Sequence, residues 1–216
     1  MDIFKKLYDY QINRVKQIID DAVKAQPHGT VFFGDSLIQS FDLTTYFPHL
    51  PFYNCGVNGA TSQQLLLLHD DAIGKYRPKQ VVLLIGTNDL GHKDESRLMD
   101  GHHQFDMLDI VYNMFQLIEI MNLKYTIEHI YIISPLPIGE NKKKTDIRNN
   151  TRLRLLGKEF SNFANEFENV SYIDVFDDFL REGQLKAEVS IDGLHINEVG
   201  YKLLADKLQV LLNKKV

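Results

Sequence analysis

Residues 81–89 read VVLLIGTND. The run Val81–Ile85 is apolar at every position, with no polar residue alternating. That pattern fits a strand covered on both faces rather than one with a wet side. Such strands belong to parallel sheets flanked by helices. The run stops at Gly86 and hands over to Thr87-Asn88-Asp89. In a parallel sheet those polar residues would face the crevice at the carboxyl ends of the strands.

The same pattern recurs outward in both directions. TVFFG (30–34), FYNC (52–55), HIYIIS (129–134) and VSYID (170–174) are four further short apolar runs. Helical spacing fills the intervals at about 61–75, 105–124 and 148–167, and a last helix covers about 197–213. Asn197 is its expected N-cap, with Val199, Leu203, Leu204, Leu208 and Leu211 as its buried stripe. Before the first strand, residues 2–25 place Ile3, Leu7, Ile12, Val15, Ile18, Ile19 and Val23 near helical spacing, and Pro27-His28-Gly29 ends that helix. Alternating strands and helices predict an α/β fold: about five parallel strands, right-handed crossovers, and helices on both faces. The length suits one domain over 1–216, with the N-terminal helix (1–25) packed on or beside it.

Composition narrows the function classes. The chain has 216 residues, 44% hydrophobic and 25% charged, as expected of a globular protein. A net charge of -5 gives no reason to expect nucleic acid or an anionic membrane as a partner. Cys55 is the sole cysteine, which excludes an intrachain disulfide and a cysteine-rich metal site. Charged residues interrupt the N-terminal stretch throughout, so it lacks the apolar core of a signal peptide. No run nears the roughly 20 apolar residues of a membrane span. The expectation is a cytoplasmic protein.

Four polar motifs then fall on the one predicted rim. Ser36 sits in GDSL (34–37) at the end of the first strand, a position for a nucleophile. Asp192 and His195 in DGLHIN (192–197) share a short loop, where the carboxylate can orient the imidazole. NCGVNGAT (54–61) carries two glycines, either able to present a backbone N–H, and Asn88 offers a carboxamide donor. Each motif also has an ordinary role: a helix cap at Asp35 or Ser36, an Asx turn before the last helix, a glycine turn, an Asn/Asp loop. Together they supply a nucleophile, a base, its orienter and oxyanion donors, the set an acyl-transfer site requires.

The ordered blocks GDSL (34–37), NCGVNGAT (54–61), GTND (86–89) and DGLH (192–195) resemble those of the SGNH hydrolases of the GDSL lipase/esterase family. The resemblance implies a flavodoxin-like three-layer α/β/α sandwich. It also implies Ser36, Asp192 and His195 as the catalytic triad, with the Ser36 N–H, the Gly59 N–H and the Asn88 side chain as oxyanion hole. It implies no metal and no organic cofactor. The expected substrate is a small ester (lipid, acylated sugar or metabolite), cleaved by a serine esterase. A short acyl group such as acetyl is expected, because the loops after the third and fourth strands hold no long apolar stretch. The imidazole must be neutral to act as base, so activity should fall below roughly pH 6–7.

The remaining features carry less. The loop at 90–105 carries His92, His102 and His103, and a His pair there invites a metal reading that no nearby Cys or clear third ligand supports. Lys142 to Lys144 read as a solvated face. Cys55 reads as a small core residue rather than a second nucleophile. The alternative to an esterase is a non-catalytic flavodoxin-like ligand-binding or scaffold domain, although no P-loop lysine or GxGxxG spacing is present. Oligomeric state is left open.

Overall fold

The computed structural model describes residues 7–48, 51–91, 107–140 and 148–212. Helix α1 (Asp9–Ala22) leads into β1 (Thr30–Gly34), followed by the one-turn helices α2 (Ser36–Gln39) and α3 (Leu43–Tyr46). Then come β2 (Phe52–Gly56), α4 (Ser62–His69), β3 (Gln80–Leu84), α5 (Met107–Lys124), β4 (His129–Ile133), α6 (Asn150–Ala164) and β5 (Val170–Ile173). A short helix α7 (Phe176–Phe179) and a small hairpin, β6 (Leu180–Arg181) with β7 (Gln184–Leu185), precede the closing helix α8 (Glu198–Leu212).

The five main strands pair in parallel in the order β2-β1-β3-β4-β5. This is the predicted α/β architecture, with the sheet wound both ways from β1. The order reverses between β1 and β3, and ligand crevices form at such a switch point. Register sharpens that placement, because Gly34 lies beside Gly56 on one side and beside Leu84 on the other. The three carboxyl ends are level, so the loops that follow meet at one place.

Alternation along each strand divides the core in two. Val31, Phe33, Val81, Leu83, Ile130 and Ile132 face the layer that includes α1, α4, α5 and α6. Phe32, Val82, Leu84, Tyr131 and Ile133 face the layer that includes α2, α3, α7 and α8. Phe32 centres an aromatic cluster, with Phe41, Phe47 and Phe52 at 5.8, 5.7 and 5.7 Å between ring centroids. Contacts of this kind contribute about 0.5–1.5 kcal/mol each beyond burial, and they fix the chain that leaves β1.

The outer helices differ from the sequence reading in detail. In α1, Val15, Ile18 and Ala22 are buried, but Val23 is exposed at the helix end. In α8 the buried face is Gly200, Tyr201, Leu204, Ala205, Leu208 and Leu212, whereas Val199 points outward and Leu203 and Leu211 are only partly covered. The stripe is shifted because Tyr201 turns inward to stack on Phe41 at 5.1 Å. Asn197 does cap α8, accepting from the N–H groups of Val199 (3.0 Å) and Gly200 (3.1 Å). No described helix is long and apolar enough to cross a membrane. Ile3, His92, His102, His103 and Lys142 to Lys144 lie outside the described residues.

Candidate active site

The chain turns immediately after β1. Gly34 is required there by close packing, not by a left-handed turn: a Cβ would sit 2.2 Å from the Leu84 carbonyl oxygen on β3. Asp35 then caps α2, its Oδ1 accepting from the Leu37 N–H at 2.9 Å. Tyr201 donates its hydroxyl to the Leu37 carbonyl at 2.9 Å, which pins the turn to α8. Ser36 is thereby held half-buried at the carboxyl end of the sheet.

The Asp192–His195 loop arrives at the same place from the far end of the chain. Ser190 and Ile196 form an isolated antiparallel bridge, and Ile191 N–H donates to the His195 carbonyl at 2.9 Å. Gly193 adopts a φ of 78°, and its N–H donates to Ser190 Oγ at 2.7 Å. Buried Val189, Leu194 and Ile196 anchor the loop in the core. Asp192 Oδ1 accepts from the backbone N–H of Leu194 (3.0 Å) and of His195 (2.8 Å), and its Oδ2 lies 2.9 Å from His195 Nδ1. Partial burial works to raise the Asp192 carboxyl, but these donors outweigh it and hold the group at about 2. His195 Nε2 lies 3.1 Å from Ser36 Oγ. The structure therefore brings Ser36, His195 and Asp192 into one hydrogen-bonded line.

The loop after β2 is supported from α1. Gln11, fully buried, donates its Nε2 to the Asn58 carbonyl at 3.0 Å. Arg14 donates Nε to the Gly56 carbonyl at 2.9 Å and Nη2 to the Asn54 carbonyl at 2.7 Å. Gly59 has a φ of 70°, in the left-handed region that favours glycine. Neither the Gly59 N–H nor the Ser36 N–H makes a hydrogen bond to a backbone carbonyl among the described residues.

Asn88 reaches the same rim from the end of β3. Its carboxamide nitrogen donates to Asp35 Oδ2 at 3.2 Å and to the Ala60 carbonyl at 3.1 Å. The carboxamide nitrogen is thus already aimed at two acceptors. Asp35, which the sequence offered only as a helix cap, also accepts from this amide. Its carboxyl is buried, and desolvation pushes it up to about 7 despite the Leu37 N–H. Asp89 lies in the same buried region, also raised by desolvation, to about 6, while its Oδ1 accepts from the Ser62 N–H at 2.9 Å.

Ser36, Gly59, Asn88 and His195 line a cavity of about 1100 Å³. Arg148 is in its wall, and Tyr8 and Tyr10 at the start of α1 close one side with rings stacked 5.4 Å apart. None of these three was legible as a site residue. Arg148 read as the first residue of a helix, and nothing in its spacing announces burial. Cys55 is in the core, where burial pushes its thiol up to about 12. Among the described residues no cluster of His, Cys, Asp and Glu could hold a metal ion.

Comparison with known proteins agrees with this fold. Platelet-activating factor acetylhydrolase IB subunit alpha1 of Bos taurus is 23% identical over 206 residues, spanning 91% of this chain and 79% of the relative. A GDSL-like lipase from Bacteroides thetaiotaomicron superposes with a TM-score of 0.79 at 20% identity, covering 94% of this chain and 98% of that one. An acetylxylan esterase from Geobacillus stearothermophilus superposes with a TM-score of 0.65 at 18% identity, covering 87% and 95%. These structural likenesses speak to the fold. The family model for GDSL-like lipases and acylhydrolases matches residues 32–203, and the chain belongs to that family.

Proposed function

We propose that this carboxylic ester hydrolase works by two-step acyl transfer through Ser36. His195 Nε2 takes the Ser36 proton as Oγ attacks the ester carbonyl, and Asp192 holds the imidazole in the required tautomer. The Ser36 N–H, the Gly59 N–H and the Asn88 carboxamide receive the developing oxyanion. The tetrahedral intermediate collapses, the alcohol leaves with the proton from His195, and an acyl-serine remains. Water, deprotonated by His195, then attacks the acyl carbonyl and restores Ser36. The observation that carries this reading is the line of contacts from Asp192 through His195 to Ser36, opening on the cavity.

The acyl group is short, acetyl being the simplest case. Among the described lining residues only Ile191, Leu194 and Ile196 are aliphatic, too few to line a channel for a long chain. The cavity far exceeds an acetyl group, so it seats the alcohol half of the ester. The acetyl esters named for the acetylhydrolase and acetylxylan esterase relatives point the same way.

A fluorophosphonate probe tests the nucleophile. Labelling of the folded protein at Ser36, abolished in Ser36→Ala, is the expected result. Folded protein that does not label would favour a non-catalytic binding domain. A series of 4-nitrophenyl esters tests the acyl side, with turnover expected to drop steeply beyond butyrate.

A further inference from the structure

Three charged side chains are buried behind Asn88, and the reaction as written uses none of them. Asp35 is 2% exposed, Asp89 1% and Arg148 7%. Two carboxylates so close repel one another, and each is costly to bury alone. Arg148, just ahead of α6, lies within electrostatic reach of both and favours the charged form of each. Its guanidinium rests on Gly91: a Cβ there would fall 1.3 Å from Nη2, so only glycine leaves room for it. Asn88 links the parts, being covalently next to Asp89 and donating to Asp35 Oδ2.

The geometry points to Arg148 as a positioning residue of the oxyanion hole: its buried guanidinium offsets the charge of Asp35, whose carboxylate aims the Asn88 amide. The inference rests on Asn88 acting as an oxyanion donor. An ionised Asp35 can only accept, so it holds the nitrogen end of the carboxamide toward itself and Ala60. A protonated Asp35 can donate instead, which would draw the amide oxygen round and leave the oxyanion facing a carbonyl.

Among the described residues, the charged and titratable groups facing Asp35 are few. Asp89 from the loop after β3 opposes its ionisation, Arg148 favours it, and the Tyr201 phenol on α8 interacts with it while staying neutral, raised by its own burial. The Leu37 N–H is the remaining donor. Arg148 is the cation among the described groups, so removing it moves the ionisation of Asp35 to higher pH.

The test is the pH dependence of kcat and KM on 4-nitrophenyl acetate, from pH 5.5 to 9.5, for the wild type, Arg148→Met and Arg148→Lys. Arg148→Met is expected to lose roughly 10- to 100-fold in kcat at pH 7, with KM changed less than about threefold. Much of that loss should be regained by pH 9, as Asp35 ionises. Arg148→Lys keeps a cation and should fall between the two. A loss that is the same at every pH would overturn the inference, and so would one borne by KM. A lysine variant as damaged as the methionine variant would also overturn it.

If Arg148→Met does not fold, Asp89→Asn serves in its place. The asparagine Oδ1 can still accept from Ser62, while the charge opposing Asp35 is gone. The titration of the Asp35 carboxyl, followed by carbon NMR, should then move to lower pH, and an unmoved titration overturns the inference. Wild-type protein that neither labels with fluorophosphonate nor turns over ester would instead overturn the hydrolase mechanism itself.

Discussion

His195 Nε2 lies 3.1 Å from Ser36 Oγ, although 159 residues of chain separate them. Two unrelated local devices make that distance: a one-turn helix capped by Asp35, and a loop closed by the Ser190–Ile196 bridge. Both are anchored in the same half of the core through Leu37, Ile196 and Tyr201. The alignment of His195 with Ser36 is therefore a property of packing against α8.

Removing either end of that contact should abolish most turnover. Ser36→Ala and His195→Ala are each expected to cost several orders of magnitude in kcat, and the double variant little more, since the pair acts as a unit. Steady-state rates on 4-nitrophenyl acetate check this. A Ser36→Ala protein that kept a tenth of wild-type activity would remove the nucleophile assignment.

Asp192 offers a finer dissection, because its two oxygens do different work. Asp192→Asn keeps an acceptor for the Leu194 and His195 N–H groups but loses the carboxylate beside Nδ1. It should fold normally and lose about 10²–10⁴-fold in kcat. Asp192→Ala also frees the loop, so its melting temperature should drop as well. Equal thermal stability for the two variants would count against the dual role.

Asn88→Ala removes the proposed side-chain donor to the oxyanion and should lower kcat by about 10²–10³-fold with little change in KM. Asn88→Asp should be worse than alanine. It sets a second carboxylate against buried Asp35 at the distance now spanned by a 3.2 Å hydrogen bond. Comparing the two variants at pH 8, where like charges repel most, distinguishes donor loss from repulsion.

Asp35 should show stability and activity moving in opposite directions. Its carboxyl rises from 3.8 to about 7 on folding, because burial disfavours the charge. Between those values the folded protein binds more protons than the unfolded chain, so stability falls as pH rises through that window. Above it the full cost is present, on the order of 4 kcal/mol. Asp35→Asn removes the cost, so its melting temperature should exceed wild type by several degrees at pH 8, with the gap closing toward pH 4. The same variant should lose kcat, because a neutral amide at position 35 no longer directs Asn88. Calorimetry across pH, alongside rates, checks both signs; a variant less stable than wild type at pH 8 would contradict the linkage.

Gly59 tests the turn after β2. An alanine there would hold a φ of 70° and set its Cβ 2.7 Å from the Tyr10 hydroxyl. Gly59→Ala should lower stability by about 1–2 kcal/mol and reduce kcat by tilting the N–H. Adding Tyr10→Phe should recover the part due to the clash and leave the part due to the backbone.

The apolar run at 81–85 was enough to announce a buried parallel strand, because a strand covered on both faces needs no polar alternation. Four further runs at helical intervals then specified the α/β layering. The candidate site residues stood out for a similar reason: the proposed chemistry demands particular side chains, and Ser36, Gly59, Asn88, Asp192 and His195 lie in short, local motifs. Burial of charge left no such trace. Arg148 lies on Gly91 beside Asp35 and Asp89 only because the start of α6 and the loops after β1 and β3 converge at the switch point of the sheet. The inward turn of Tyr201, which shifts the buried face of α8, likewise depends on Phe41 from a distant segment. Sequence determined which groups stand at the rim, since that is written in local pattern. Tertiary structure alone decided which of them lose their water, since desolvation is set by what packs on top.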